Sequence, residues 1–397
     1  MNQKDMNRNV SLYKWYVLFN EPLFWGPVLI ISLQKLGHMT LSDIYFMESA
    51  VVIICVLLDI PSGTLADIIG KRTMLIFGRM LLFISICLFA CMSSPLLAWT
   101  ANIAWAIGYS FQSGADVSLL YSSLKNGGHH TQFKKVEGRA VGSRFLLMAC
   151  CALIVSALVT IHPRLPLIFS IIPMGIPLII SFRFKESTQT KKYSASEQIR
   201  ILKAGVLCAL RNKYIRWIIG FSAFIAGTSK IWFFTYNPYF ERVGIHIAYY
   251  GFIFFLINIV AWVSSRYAHQ MANFTTERNS ILWMTACIAI PILLMGLFPF
   301  WPLAYLILFQ NLVRGFMSPF LGDFINKHID TEEIRATVLS VRSSTTNTVS
   351  IFALAWFGFM TSQFSLLSSL SILGIIALGV GALSIQRYQK LFLTPGK

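Results

Sequence analysis

Charged side chains are scarce in this sequence. Asp, Glu, Lys and Arg make up only 12% of its 397 residues, whereas 56% are hydrophobic. Soluble domains are about 25% charged, and a soluble core is too small to bury this much apolar surface. The composition therefore excludes an ordinary soluble globule and predicts that most of the chain lies in lipid.

Acidic residues are half as frequent as basic ones. The chain has 16 Asp and Glu against 33 Lys and Arg, which gives a formal net charge of +17. The basic residues form short clusters between apolar stretches, with no continuous basic face and no nucleic-acid motif. We therefore expect no nucleic-acid partner, and we interpret the clusters as charges that orient membrane helices.

The usual marks of catalysis and of metal binding are missing. The 7 Cys residues show no CxxC spacing, which argues against a disulfide framework or a zinc site. The sequence also contains no Walker loop, no cluster of metal ligands and no nucleophile elbow. It thus predicts neither a cofactor nor an enzyme.

Long apolar runs, in contrast, fill the sequence. Windows that can cross about 30 Å of hydrocarbon predict twelve transmembrane helices, near residues 13–34, 43–66, 73–93, 97–124, 138–160, 165–184, 214–238, 247–267, 280–299, 301–324, 337–360 and 365–386. The sequence therefore predicts an all-α membrane protein with two six-helix bundles, at 1–184 and 214–397. Glu137-Gly138-Arg139-Ala140 is echoed by Glu333-Ile334-Arg335-Ala336, which favours pseudo-symmetric halves.

A polar linker at 185–213 separates the predicted bundles. Within it, Ser194-Ala195-Ser196-Glu197 matches a helix-capping box and precedes apolar residues at helical spacing. This pattern indicates an amphipathic helix on the membrane surface, and a plain tether explains it equally well. If the N-terminus is cytoplasmic, the opposite side receives only Lys35, Arg164 and Arg242, so we expect both termini inside the cell.

The loop between the second and third predicted spans carries a specific motif. It reads Asp59-Ile60-Pro61-Ser62-Gly63-Thr64-Leu65-Ala66-Asp67-Ile68-Ile69-Gly70-Lys71-Arg72. It resembles the signature loop of the major facilitator superfamily, Gly-x-Leu-Ala-Asp-x-x-Gly-Arg-Lys. The resemblance implies the superfamily fold and a gating latch, which holds the two halves in the outward-open state and consists of Asp59, Gly63, Asp67, Gly70, Lys71 and Arg72. Orienting charge alone would explain the Lys-Arg pair but not the glycines or Asp67.

A second resemblance lies in the fourth predicted span. Ser113-Gly114-Ala115-Asp116-Val117-Ser118-Leu119-Leu120-Tyr121-Ser122-Ser123-Leu124-Lys125 is similar to a string of many bacterial superfamily members, with Val117 and Ser122 at two positions that are acidic in those members. Drug–proton antiporters of the superfamily place an arginine where this chain has Tyr109, and their glycine-and-proline signature in the fifth helix is absent. The standard antiporter mechanism is therefore not supported, and uptake and non-standard efflux both remain open.

Ionisable residues inside the membrane are candidates for function because each costs at least about 2.5–3.5 kcal/mol there. Glu21, Asp116 and Arg144 lie at similar predicted depths, and the resemblance places the first and fourth helices around a central cavity. We expect them to form a compensating cluster that couples transport to protons. A structural ion pair is the alternative. Pro22 beside Glu21 is expected to open the local backbone hydrogen-bond ladder.

The C-terminal half supplies two cations near mid-membrane, Lys230 and Arg314. In the superfamily their helices line the same cavity, so two cations there favour an anionic substrate. Further polar and aromatic residues are predicted to line a substrate site: Trp25, Gln112, Trp232, Tyr236, Asn237 and Gln310. Each aromatic residue taken singly is more often a packing residue than a ligand contact.

Together these features predict a monomeric secondary active transporter in the cytoplasmic (inner) membrane. It would move a small organic, anionic solute by alternating access, coupled to protons. Its expected partners are the small-molecule substrate, the proton and the lipid bilayer. Superfamily members with similar fourth-helix strings transport siderophores, antibiotics and related metabolites, so we expect a substrate in that range. The alternatives are a lipid flippase on the same fold and a non-transporting membrane sensor.

Overall fold

The computed structural model describes residues 3–129, 132–185, 203, 206–328 and 332–392, which are mainly helical and contain no β-strand. The α-helices are α1 (Gln3–Leu18), α2 (Leu29–Lys35), α3 (Leu41–Ile69), α4 (Lys71–Ala90), α5 (Pro95–Gln112), α6 (Ala115–Asn126), α7 (Phe133–Ile161), α8 (Leu165–Ser181), α9 (Lys213–Arg242), α10 (Tyr250–Phe274), α11 (Glu277–Leu297), α12 (Ile307–His328), α13 (Glu332–Gln363) and α14 (Leu366–Phe392). Short 3-10 helices at Ile247–Tyr249 and Trp301–Leu306 precede α10 and α12.

Each of the twelve predicted spans coincides with one helix or with a pair of helices, and this confirms the all-α membrane architecture. Among the described residues, 7 helical segments are long and apolar enough to cross a membrane: Leu41–Asp59, Lys71–Ala90, Lys135–Ile161, Lys213–Arg242, Ile247–Tyr267, Glu277–Leu297 and Leu366–Leu391. The apolar helix α8 is shorter. The first and fourth predicted spans are each divided in the structure, the first into α1 and α2 and the fourth into α5 and α6.

Both interruptions have a local cause. The first, residues 19–28, contains Pro22, which has no backbone N–H to continue the helical ladder. The second is Ser113-Gly114, where Gly114 has a φ of +79° in the left-handed region that favours glycine. We call these segments the first and second interruptions.

The chain divides into two compact units, Met1–Thr190 with His246–Ile259, and Lys191–Ile245 with Val260–Lys397. The segment His246–Ile259 thus belongs with the N-terminal unit, where the backbone N–H of Gly251 donates to Ser156 on α7 (2.9 Å). The predicted boundaries at 184 and 214 stay a prediction. Most of the predicted amphipathic helix lies outside the described residues.

Glycines allow close helix crossings in both units. In the first unit, a Cβ added to Gly78 on α4 would lie 2.8 Å from the carbonyl oxygen of Gly108 on α5, and the reverse substitution would be equally close. In the second, a Cβ on Gly374 of α14 would lie 2.6 Å from Cα of Leu293 on α11. At these crossings the backbones of the two helices are in contact. The helices can come this close because glycine has no side chain.

The first unit has a hydrophobic core to which α1, α4 and α6 contribute. Tyr16 and Val17 of α1 pack there with Leu75 of α4 and with Leu119 and Leu120 of α6. This core fixes the depth and the rotation of α1 relative to α4 and α6. It therefore sets the position of the polar residues that neighbour it on these helices.

Asn9 ties α1 to the chain just after α8. Its amide nitrogen donates to Ser123 Oγ (2.9 Å) and to the carbonyl of Lys185 (2.8 Å), and its oxygen accepts from the Lys185 backbone N–H (3.1 Å). Asp5 adds an ion pair with Lys185 (2.8 Å), and the hydrogen bond from Lys185 lowers the pKa of the Asp5 carboxyl.

Replacing Asn9 with alanine is expected to lower the stability of the first unit. The side chain is fully buried, and its loss leaves buried polar partners unsatisfied at about 1–3 kcal/mol each. Thermal unfolding of the purified protein in detergent measures the effect. Asn7→Ala, at an exposed position of the same helix, is the control, and an Asn9→Ala protein as stable as that control would contradict the prediction.

Candidate functional site

The first interruption is held by a buried arginine. Arg79, on α4, is 0% exposed. Its Nε donates to Tyr16 Oη (2.9 Å), and its Nη1 donates to the carbonyl oxygen of Asn20 (3.2 Å). The guanidinium carbon also lies 4.6 Å from the centre of the Tyr16 ring. Since α1 ends at Leu18, the Asn20 carbonyl lies outside the helix, and Arg79 supplies its hydrogen-bond donor.

The two interruptions are joined by side chains. Gln112, the last residue of α5, donates from Nε2 to Oδ1 of Asn20 (2.9 Å). Gln112 is buried, and its Oε1 has no hydrogen-bond partner among the described residues. Irregular backbone in the first span thus lies beside irregular backbone in the fourth.

The three predicted proton-coupling residues lie together. Arg144 of α7 pairs with Glu21 at 3.6 Å, and their side chains are 18% and 33% exposed. Asp116, in the first turn of α6, is 9% exposed and accepts from the backbone N–H of Val117 (2.7 Å). It is close enough to the guanidinium groups of Arg79 and Arg144 for charge interaction. We call Glu21, Arg79, Asp116 and Arg144 the N-terminal charge cluster.

Trp25 lies in the first interruption but among aromatic side chains. Its ring centre is 4.7 Å from that of Trp105 and 5.5 Å from that of Phe89, which it meets edge-on. These contacts are typical of packing. They position the chain between α1 and α2 and do not bring Trp25 into the N-terminal charge cluster.

Four buried residues on α9 and α12 form a polar cluster in the second unit. Tyr236 Oη donates to Gln310 Oε1 (2.6 Å), and Gln310 Nε2 donates to the carbonyl of Ser229 (3.0 Å). Asn311 Nδ2 donates to Tyr236 Oη (3.4 Å). Trp232 meets the Tyr236 ring edge-on with ring centres 6.0 Å apart. Trp232, Tyr236, Gln310 and Asn311 are named the C-terminal polar cluster.

The predicted cations of this half differ in their surroundings. Arg314 is exposed on α12, and its charge reaches Tyr236. Lys230 is half-buried on α9, and no carboxylate of the described chain lies within ion-pair distance of it. Asn237 is buried beside Tyr236 along α9. The buried indole N–H of Trp232 lacks a hydrogen-bond partner among the described residues.

The predicted latch residues lie at the junction of α3 and α4. Gly70 joins the helices with a φ of +98°. Lys71 donates to Ser122 Oγ on α6 (3.3 Å), and Arg72 donates to the carbonyl of Phe182 (2.7 Å). Asp59 is exposed. The surroundings of Gly63 and the side chain of Asp67 lie outside the described part of the structure.

Sequence reasoning missed Arg79, Tyr16, Asn20 and Asn311. Arg79 carried a usable signal, because it is a lone charge in the middle of a predicted span. Tyr16 and Asn20 had none, since their role depends on a helix that lies about 60 residues further along the chain. Asn311 follows Gln310 directly and joins the same hydrogen-bond network.

The sequence matches a known family over most of its length. The profile of the Major Facilitator Superfamily covers residues 15–354. No curated protein matches the sequence significantly.

Solved structures resemble the fold over nearly the whole chain. A variant of the nucleoside transporter NupG has a TM-score of 0.79 at 14% identity, covering 97% of this chain and 100% of its own. A D-xylose–proton symporter has a TM-score of 0.75 at 12% identity, covering 96% and 97%. A POT family transporter in complex with a thioalcohol-conjugated peptide has a TM-score of 0.76 at 13% identity, covering 98% and 97%.

The apolar helices and the likeness of the fold define a multi-pass helical membrane protein. The extent of the profile match makes the assignment specific. The chain belongs to the Major Facilitator Superfamily, and it is a transporter of the secondary kind.

Proposed function

We propose that this protein is a proton-coupled transporter of a small, anionic organic solute that works by alternating access. The observation that carries the proposal is the N-terminal charge cluster. Two carboxylates and two guanidinium groups lie inside predicted spans, where unpaired charge is costly. A carboxylate that gains a proton there changes the charge balance of the whole cluster, and this can drive a conformational change.

The accessibility of the cluster supports a proton route. The Glu21–Arg144 pair is partly exposed, whereas Asp116 and Arg79 are nearly or fully buried. We infer that a proton enters at Glu21 and binds at Asp116. The likeness to a D-xylose–proton symporter concerns the fold alone, so proton coupling rests on these residues.

The C-terminal polar cluster supports binding of an organic solute. Trp232 and Tyr236 offer aromatic surface, and Gln310 and Asn311 offer hydrogen bonds. Arg314 adds a positive charge beside Tyr236, which favours a carboxylate or another anion. We expect a siderophore, an antibiotic or a related metabolite of this character. The similar solved structures differ in the solutes that they name: one is a nucleoside transporter, one a D-xylose–proton symporter, and one a POT family transporter in complex with a conjugated peptide.

The distribution of basic residues supports a location in the cytoplasmic (inner) membrane with both termini inside. We propose that one copy of the chain is sufficient for transport, since each polar cluster is formed by the residues of one unit. The direction of transport depends on whether the solute and the proton move in the same or in opposite directions. The flux assay described next measures this.

A two-step experiment tests the proposed function. Purified protein is first screened by thermal shift against anionic, neutral and cationic metabolites, siderophores and antibiotics at two pH values. The ligands that stabilise it are then assayed for flux in proteoliposomes with and without a pH gradient. Accumulation driven by the gradient supports the proposal. Binding without flux would identify a sensor, and movement of labelled lipid a flippase, and either result would contradict it.

Arg314→Gln tests the anionic character of the solute. A charged hydrogen bond contributes about 1.5–3 kcal/mol, so affinity for the anionic ligand should fall by about tenfold or more. The matched control is Arg278→Gln, which removes a cation from the first turn of α11 in the same unit. Equal affinities in the two variants would count against an anionic substrate, as would a preference for neutral ligands in the screen.

A further inference from the structure

Arg79 has a combination of features that a purely structural arginine does not need. It is 0% exposed, and no carboxylate of the described residues lies within ion-pair distance of it. Its Nε and Nη1 bind a phenol and a backbone carbonyl, whereas Nη2 has no hydrogen-bond partner in the part of the chain that the structure describes. A buried guanidinium group with an unused donor is costly, and this cost favours a second partner in another state of the protein.

Asp116 is the carboxylate whose charge interacts with Arg79. It lies on α6, which packs against α4 through Leu75, Leu119 and Leu120, and it interacts with Arg79 through charge. The groups that face Asp116 from the surrounding helices are Tyr13 and Tyr16 on α1, Arg79 on α4, Tyr109 on α5, and Glu137 and Arg144 on α7. Two of these groups also contact the first interruption: Arg144 pairs with the Glu21 side chain, whereas Arg79 donates to the backbone carbonyl of Asn20. Arg79 is therefore the one that acts on the backbone of the interruption.

We propose that Arg79 is the positioning residue that transmits the protonation of Asp116 to the first interruption. When Asp116 is ionised, its carboxylate competes with Tyr16 and the Asn20 carbonyl for the guanidinium group. When a proton from water binds the carboxylate, Asp116 becomes neutral, and Arg79 is held by Tyr16 and Asn20 alone. The inference rests on the proposed function, in which Asp116 is the proton site.

The consequence is a change in the backbone between α1 and α2. The Asn20 carbonyl gains or loses its donor according to the charge on Asp116, while the Asn20 side chain stays bound to Gln112. Trp25 follows five residues later in the same interruption, against Phe89 and Trp105. Its ring therefore reports the conformation of the first interruption.

The test needs no substrate. Infrared difference spectra over a pH series detect the protonated carboxyl group of Asp116 as the band that is lost in Asp116→Asn. Fluorescence of Trp25, isolated by subtracting the signal of Trp25→Phe, follows the interruption in the same samples. The variants are Arg79→Gln, Arg79→Lys and Tyr16→Phe. Arg164→Gln is the matched control, because Arg164 also binds two carbonyl groups near the end of α4, those of Ala90 and Met92 (both 2.8 Å).

Removing a positive charge next to a carboxylate makes its proton harder to lose. In Arg79→Gln the midpoint of the Asp116 band should therefore move to higher pH by about one unit or more, and the Trp25 signal should lose its dependence on pH. Arg79→Lys should keep the midpoint close to that of the original protein but weaken the Trp25 response, because lysine has no forked donor. Tyr16→Phe should shift the Trp25 response and retain the fold.

Two results would overturn the inference, and they are distinguishable. If Arg79→Gln and Arg164→Gln lower the unfolding temperature alike and leave the Asp116 midpoint unchanged, Arg79 has only a structural role and the proposed function stands. Should Arg79→Gln fail to fold, the same conclusion follows from unchanged signals in Arg79→Lys and Tyr16→Phe. If the original protein shows no titrating Asp116 band, the proton site itself is refuted.

Discussion

Asp116→Asn is expected to abolish the accumulation of solute against its gradient while leaving the protein folded. Asparagine cannot bind and release a proton at this position, but its oxygen can still accept from the backbone N–H of Val117, as the carboxylate does. Downhill exchange of the solute should persist, because that exchange needs no proton. Proteoliposome flux with and without a pH gradient measures both quantities for the solute that the thermal-shift screen identifies.

Asp43→Asn is the control for that substitution. It removes a carboxylate of the same unit that caps α3 through Thr40 and lies at the protein surface, so gradient-driven accumulation should remain. If Asp116→Asn accumulates solute as well as this control does, Asp116 is not the coupling residue. A loss of downhill exchange together with a lower unfolding temperature would instead indicate the structural ion-pair interpretation.

Gly108→Leu is expected to be among the most destabilising single substitutions in the first unit. The first atom of the new side chain would lie 2.8 Å from the Gly78 carbonyl oxygen and 3.0 Å from Leu81 and Leu82 side-chain atoms. Backbone atoms cannot move aside independently, so α4 and α5 must separate. Overpacking of this kind typically costs about 1–3 kcal/mol and occasionally more. Thermal unfolding of the purified protein measures the loss.

The separation of α4 and α5 should also disturb function, because Arg79 follows Gly78 directly and Gln112 lies one turn after Gly108. Gly220→Ala is the control, since a Cβ at that position of α9 meets no neighbouring atom within 4 Å. Alanine is the better helix former there by about 0.8–1.0 kcal/mol. An unfolding temperature for Gly108→Leu equal to that of Gly220→Ala would contradict the close backbone crossing.

The helices could be predicted from the sequence because hydropathy averages over a whole span and needs no partner. The same averaging hid the second interruption. Ser113-Gly114 leaves the mean apolar character of the span almost unchanged, and only the left-handed φ of Gly114 reveals the break. The first interruption was foreseen in part, since Pro22 removes a backbone donor whatever surrounds it.

The sequence predicted those site residues whose charge makes them costly to place in lipid. Glu21, Asp116 and Arg144 met that criterion, and the structure brings them together. The cost of a charge in lipid does not show which other residues that charge will contact. Tyr16 and Asn20 are ordinary residues in the sequence, and they gain importance only because α4 folds back beside α1 and presents Arg79 to them.

The order of synthesis gives the contact between Arg79 and the first span a further meaning. Tyr16 and Asn20 are synthesised well before Arg79. The Tyr16 phenol and the Asn20 carbonyl are therefore present when the third span is inserted. An arginine at the centre of a lone helix would face an insertion cost of about 2.5–3.5 kcal/mol. We therefore expect that early contact between the first and third spans lowers the cost of inserting Arg79.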